Sequence, residues 1–473
     1  MVSQAWKGCD GKLASAYRKF IDEHTPQKGK EIYTGPLADT ATDFEWPVLD
    51  RRLYPYHNGC MTQGVDWDEN INYERLRRYR LERTREQMKA YDVGAILSFD
   101  AWNMRYITGT WTSHWTVPAS GLRYCLFTAN SKGPILYEQG EIGYHTRQMC
   151  PWLEKVKVAI TGAGWNSIVM GNKAREAQKD KLVKQVVDDL ESYGMKNEVL
   201  ALDVGDMSLI EGLKNAGVKV SPAGTELMLH ARKIKNQDEV ECLRIAASIA
   251  DAQHNCIKEM IKPGVRENEI IGMMHKVAYD LGGEVYLGEW CTSGEFSWPN
   301  PRETTANRMI RPGDVVYADA YNTSYMGYKT CVYRTFCCGK ASQRLKDDYA
   351  QALEWLYDAI GVIKPGVTTA EVCAKWPPGS SVWQDVLVKF EDQTAGSNWA
   401  HGIGLSLYEY PIMWRQISFE NPFVLEEGMT FAIETQQGTI GSGGARVEEM
   451  VHVTRDGAEV LTKFPIESIT EVY

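Results

Sequence analysis

The chain has no apolar run approaching the ~18 residues of a membrane-spanning helix, and residues 1–20 contain no apolar stretch at all. Neither membrane insertion nor secretion is expected. Positive charge is also short: 52 Lys and Arg stand against 62 Asp and Glu, a formal charge of −10. A phosphate backbone needs a basic face, so a nucleic-acid partner is not expected. The 11 cysteines are odd in number, scattered, and include no Cys-x-x-Cys pair. That distribution fits reduced thiols and a cytoplasmic protein. The adjacent pair Cys337-Cys338 fits two strand residues facing opposite ways.

Tryptophan, by contrast, is plentiful, with 15 residues. Trp102, Trp111 and Trp115 fall close together, as do Trp290 and Trp298. Two readings are open: ordinary packing, or an aromatic pocket for a quaternary cation or an aromatic ligand.

A chain of 473 residues is too long for one ordinary core. Residues 1–70 mix Gly, Pro, Asp and aromatics without periodicity and read as an irregular extension lying on another surface. From Ile71 the pattern becomes regular. Tyr73 to Ala90 reads as a helix and Gly94 to Phe99 as a buried strand. A helix over Lys181–Tyr193, a strand over Val199–Asp203, a helix bearing Leu209 and Leu213, and a strand at Val218–Val220 follow. Residues 71–225 are therefore expected to form a small α/β domain.

Residues 226–473 repeat themselves. A long amphipathic helix over Asp238–Ile261 ends at Lys262-Pro263-Gly264-Val265, and a second over Asp347–Ile363 ends at Lys364-Pro365-Gly366-Val367. Each stop leads into an acidic helix start. One Pro-Gly stop is common; two in the same context indicate a duplicated half-domain with a cleft between halves.

Motifs follow in fixed order. They are Arg311 to Asp319, Gly327-Tyr328 with Arg334-Thr335-Phe336, His401-Gly402-Ile403-Gly404-Leu405, Gly428 to Glu434, and Gly444 to Glu448. In this order, over about 250 residues, they resemble the pita-bread fold of the creatinase, aminopeptidase P and prolidase (M24) superfamily. The ending Gly457-Ala458-Glu459 to Pro465 is creatinase-like. Ser98-Phe99-Asp100 with Asn103 to Tyr106 is similar to the bacterial dimethylsulfoniopropionate lyases. The resemblance implies an α/β (α+β) chain: a pita-bread C-terminal domain with duplicated αβ halves, preceded by a smaller creatinase-type α/β domain. It also implies a homodimer, in which Trp111 and Trp115 would reach the neighbouring subunit's cleft.

Metal-dependent members hold two ions on two aspartates, one histidine and two glutamates. Here the resemblance places Asp319, His401, Glu434 and Glu448 at four of those positions and Cys331 at the fifth. Two readings stay open. One Zn or Fe ion could be held by Cys331, His401, Glu434 and Glu448, since thiolate and imidazole favour those metals. Otherwise the site is metal-free and the carboxylates act as acid and base. Glu448 and Glu449 are adjacent, so only one of them can face a cleft from a strand. His401, in a Gly-rich loop, is expected to be accessible.

The histidine that peptidase members carry before the first aspartate strand is missing from Ser297 to Pro301. The expected activity is accordingly that of a lyase, or secondly a hydrolase, that is not a peptidase and cleaves a C–S, C–N, C–O or C–C bond of a small molecule. His401, Glu434, Glu448, Tyr333 and Tyr321 would move protons. Trp298, Arg302, Trp290, Trp111, Trp115 and Tyr408 would line the substrate pocket. The alternatives are an Xaa-Pro-type metallo-dipeptidase with an altered metal site and a non-catalytic binding module.

Overall fold

The computed structural model describes residues 71–473, apart from 112–120, 141, 286–287, 300–301, 303 and 384–397. The extension assigned to residues 1–70 and the position of Trp115 lie outside the described residues.

Helix α1 (Tyr73–Ala90) starts where Asn72 caps the Arg75 amide and buries Leu76, Arg80, Thr84 and Met88, a spacing of four that follows the helical turn. A mixed six-stranded sheet follows, in the order β4-β3-β2-β1-β5-β6. Its strands are β1 (Ala95–Ser98), β2 (Tyr124–Thr128), β3 (Ile135–Glu138), β4 (Lys155–Val158), β5 (Val199–Leu202) and β6 (Lys219–Ser221). The inner strands β1, β2 and β3 are buried throughout, as expected of a sheet covered on both faces. Helix α2 (Ala101–Thr108) follows β1 and is capped by Asp100. Helix α3 (Asn172–Ser192) begins nine residues before its expected start at Lys181. That first part is polar and exposed, so no apolar periodicity marks it.

Helices α4 (Gly224–Arg232) and α5 (Gln237–Met260) lead into the C-terminal half. α5, opened by an Asn236–Glu239 capping box, is followed after the Pro-Gly stop by α6 (Glu267–Asp280). Helix α7 (Gln343–Ile360) and the short α8 (Thr369–Cys373) repeat this arrangement. Isolated bridges Arg266↔Met309 and Thr368↔Val424 form at the residue that opens the second helix of each pair. The duplication visible in the two Lys-Pro-Gly-Val stops is thus present in the backbone pairing.

Each half contributes a sheet. In the first, β8 (Trp290–Ser293), β9 (Val315–Asp319) and β12 (Tyr333–Cys338) lie beside β18 (Thr470–Val472) in the order β18-β12-β9-β8. A small sheet of β7 (Glu284–Val285), β10 (Thr323–Tyr325) and β11 (Tyr328–Lys329) adjoins it. The second half supplies β13 (Asn398–Gly402), β14 (Glu409–Trp414), β15 (Thr430–Thr439), β16 (Gly443–Val453) and β17 (Ala458–Val460), ordered β14-β13-β15-β16-β17. Both Cys337 and Cys338 are buried, on β12. No helix among the described residues is long and apolar enough to cross a membrane.

Candidate active site and metal centre

Strand pairing builds the site. Across the first sheet Trp290 pairs with Asp319, and Asp319 with Tyr333, so these three side chains stand in one row on one face. In the second sheet His401 pairs with Ala432, and Glu434 stands directly opposite Glu448. The sheets meet where the Tyr333 amide donates to Glu448 Oε2 at 3.1 Å and the Tyr333 hydroxyl donates to Glu434 Oε2 at 2.7 Å. The Tyr317 hydroxyl, one row away, donates to Asp319 Oδ2 at 2.8 Å.

Cys331, His401 and Glu448 bring one ligand atom each to within 4.8 Å of one another. His401 is buried, not accessible as its glycines suggested, because β13 runs between β14 and β15. Its Nδ1 lies 3.0 Å from the Gly402 carbonyl, and the Leu407 carbonyl also hydrogen-bonds the ring. Burial pushes the Cys331 thiol and the Glu448 carboxyl well above their ordinary ranges, and Asp319 and Glu434 raise Glu448 further. Asp319 is pushed up to about 7, chiefly by burial; the Tyr317 hydrogen bond opposes this and the charge of Glu434 adds to it. Burial pulls His401 down, which keeps its ring neutral. Glu448 Oε1 and Asp319 Oδ1 have no hydrogen-bond partner among the described residues. Buried oxygens without partners, a neutral imidazole and a thiol that hydrogen-bonds a carboxylate form a donor set that fits a divalent cation, which would displace the thiol proton on binding.

Glu448 faces this centre and Glu449 the other way, where it meets Arg334 at 3.2 Å and the Thr462 hydroxyl. Tyr408 is half-exposed and its ring lies 4.4 Å from that of His401. Trp290 meets Tyr317 edge-on at 5.8 Å and Tyr321 at 6.4 Å.

Several expected pocket residues do other work. Trp298 is buried; it stacks on Trp383 at 6.4 Å and lies over Gly438 and Gly444, where an added Cβ would come within 2.6 Å of its ring. It is a core residue. Arg302 pairs with buried Glu267 at 2.5 Å and lies over Phe296, so its charge is already matched. Trp111 packs against Arg123 of its own chain, 5.8 Å away, and its carbonyl accepts from that residue. Glu409, next to Tyr408, already has its charge matched. It is buried against Arg232 at 3.0 Å and Lys235 at 2.7 Å, and these cations hold its carboxyl below the usual range.

Sequence reasoning missed Glu289. Its side chain is buried beside the site, receives hydrogen bonds from Gln253 and Thr323, and lies 3.8 Å from His275. Burial raises it from 4.5 to about 7. Its only signal in the sequence is adjacency to Trp290. The native state therefore holds its proton at pH values where the unfolded chain has lost it. Stability is expected to fall as pH rises from about 4.5 to about 7, by roughly 1–3 kcal/mol from this group. Urea denaturation at pH 5 and pH 7.5 should show a smaller difference in Glu289→Gln than in wild type.

Two strand layers in duplicated halves, with inward carboxylates and a histidine where the layers meet, define a pita-bread scaffold. The profile of the metallopeptidase family M24 matches residues 241–455, and that of the creatinase/prolidase N-terminal domain matches residues 80–232. The chain belongs to the M24 pita-bread superfamily. It is 27% identical over 295 residues to an Xaa-Pro dipeptidase of Pyrococcus furiosus, covering 61% of this chain and 81% of that one. It is 27% identical over 334 residues to a putative dipeptidase of Bacillus subtilis, covering 68% and 85%. Among solved structures it is similar to an X-Pro aminopeptidase from Thermotoga maritima, with a TM-score of 0.64 and 21% identity over 83% of this chain and 99% of that one. These relatives are named as peptidases, which overturns the expectation of a lyase that is not a peptidase. The resemblance to sulfonium lyases finds no support among them.

Proposed function

We propose that the chain is a metal-dependent hydrolase of short peptides that works with one metal ion held by Cys331, His401 and Glu448. The convergence of those three ligand atoms within 4.8 Å carries the reading. The names of the relatives supply the substrate class, Xaa-Pro dipeptides. Sulfur with imidazole and carboxylate favours Zn or Fe over the Mn that suits all-oxygen sites.

A second ion is disfavoured by the neighbours of the two remaining carboxylates. Tyr317 occupies one oxygen of Asp319 and Tyr333 one oxygen of Glu434. Each phenol takes up one oxygen that a second cation would use, while Asp319 Oδ1 stays without a partner among the described residues. A bound ion would polarise the scissile carbonyl as a Lewis acid. Glu434 would take the proton released as water attacks, and the Tyr333 hydroxyl, which donates to it, would pass one to the departing amine. Tyr408 forms the open wall over His401 and excludes water from one side of it.

The experiment is a release assay on a panel of Xaa-Pro and non-prolyl dipeptides. The metal-stripped protein is reloaded in turn with Zn, Fe(II), Mn and Co. Turnover of Xaa-Pro dipeptides at one Zn or Fe per chain is the expected result. No cleavage of any dipeptide with any of the four metals would end the reading.

A further inference from the structure

Glu289 has no part in the chemistry above. It stands immediately before β8, and its side chain is wholly buried. One of its oxygens is matched: Oε1 accepts from Gln253 of α5 and from Thr323 of β10. Oε2 has no hydrogen-bond partner among the described residues. Neither has the atom that faces it, Nε2 of His275 on α6, 3.8 Å away. A buried oxygen and a buried ring nitrogen left unpaired opposite each other are costly unless something lies between them.

The two donors say what fits there. Carboxylate and imidazole are both ligands of zinc and its neighbours in the first transition row. Bonds of about 2.0–2.2 Å to each reach across the gap, with the ion off the line joining them. Gln253 and Thr323 orient the carboxylate from behind, the outer support that a metal ligand needs. The His275 side chain is 36% exposed, so an ion has a way in and water can complete its coordination. Burial lowers His275, which keeps its ring neutral and able to bind. Burial is also the main cause that raises Glu289; Thr323 and Gln253 oppose it and the charge of Asp319 adds to it. Tyr321, which feels the charges of Asp319, Cys331 and Glu289, has its own hydroxyl pushed up and stays neutral. No lysine or arginine among the described residues pairs with Glu289 to take the ion's place.

We infer that Glu289 Oε2 and His275 Nε2 together hold a loosely bound divalent cation of the zinc class, at a site outside the centre formed by Cys331, His401 and Glu448. The site stands whether or not the chain cleaves peptides. It offers two protein ligands against the three that converge in the centre, so its occupancy follows the free metal concentration.

The test uses the full chain after dialysis, titrated with zinc by calorimetry and with cobalt(II) by visible absorption. One ion per chain should bind beyond whatever dialysis leaves in place, about tenfold or more weakly in Glu289→Gln and in His275→Ala. Both variants should retain the metal that wild type retains on dialysis. Uptake should be tighter at pH 8 than at pH 6, because the ion displaces the Glu289 proton. His275→Ala, on a half-open helix face, decides the matter should Glu289→Gln not fold. No further uptake by wild type would overturn the inference. Weaker uptake in His275→Ala but not in Glu289→Gln would mean an ion on an exposed histidine alone. Unchanged uptake in both variants would place the ion elsewhere, and either of these results also overturns the inference.

Discussion

Replacing His401 by alanine is expected to empty the metal centre, taking zinc from about one per chain to below roughly a tenth and lowering dipeptide turnover by about a thousandfold or more. The ring is held by its Gly402 contact and by the strands on either side, so it is presented without further ordering. Preorganisation of that kind is lost entirely on truncation, and two remaining ligands cannot close a tetrahedral site. Cys331→Ala should behave alike. Cys331→Asp should keep an ion but shift preference from zinc toward manganese, because a hard oxygen replaces a soft sulfur. Elemental analysis of protein purified without a metal-binding tag checks all three. Unchanged zinc in both alanine variants would place the metal elsewhere.

The second large effect lies away from the chemistry. Glu409→Leu should destabilise the protein by about 3–5 kcal/mol, measured by urea unfolding, because it leaves two buried cations without their counter-charge. Arg232 and Lys235 are both almost wholly inside and both meet this one carboxylate, which also accepts from the Ser406 amide. Lys235→Met in the Glu409→Leu background should recover part of the loss. A single variant within about 0.5 kcal/mol of wild type would show that water reaches these cations. Activity should drop with stability, since Tyr408 is the neighbour of Glu409 and would lose its anchor.

Much of this was legible in the sequence, and for a local reason. Asp319, His401, Glu434 and Glu448 each sit in a motif of a few consecutive residues, so the resemblance could be read without any long-range contact. Cys331 is found by counting back from Arg334. Helix α1 came out with its observed limits because capping and four-residue burial are encoded in neighbouring residues. The failures are contacts between distant segments. Nothing near Trp298 tells that two glycines of a later hairpin leave room for its ring. Nothing near Arg302 announces Glu267, 35 residues earlier. Tyr333 could be named but not placed against Glu434, and Tyr317 went unnamed, because hydrogen-bonding to a carboxylate is decided by strand register. The lyase expectation had another weakness: it rested on a histidine missing from Ser297–Pro301, and a missing residue constrains chemistry less than the ligands that remain.

The ion pair of Arg232 with Glu409 spans 177 residues of chain. Arg232 also bonds Asn103, which in turn bonds Asp203 at the end of β5. During synthesis the N-terminal sheet emerges first and holds its arginine without a counter-charge until β14 has left the ribosome. At about 5–20 residues per second that wait is roughly 10–35 seconds. The nascent N-terminal half must therefore keep Arg232 hydrated throughout that interval. The histidine loop closes only as the last quarter of the chain arrives, so a ribosome-bound fragment ending before Glu409 has no assembled centre in which to trap a stray metal ion.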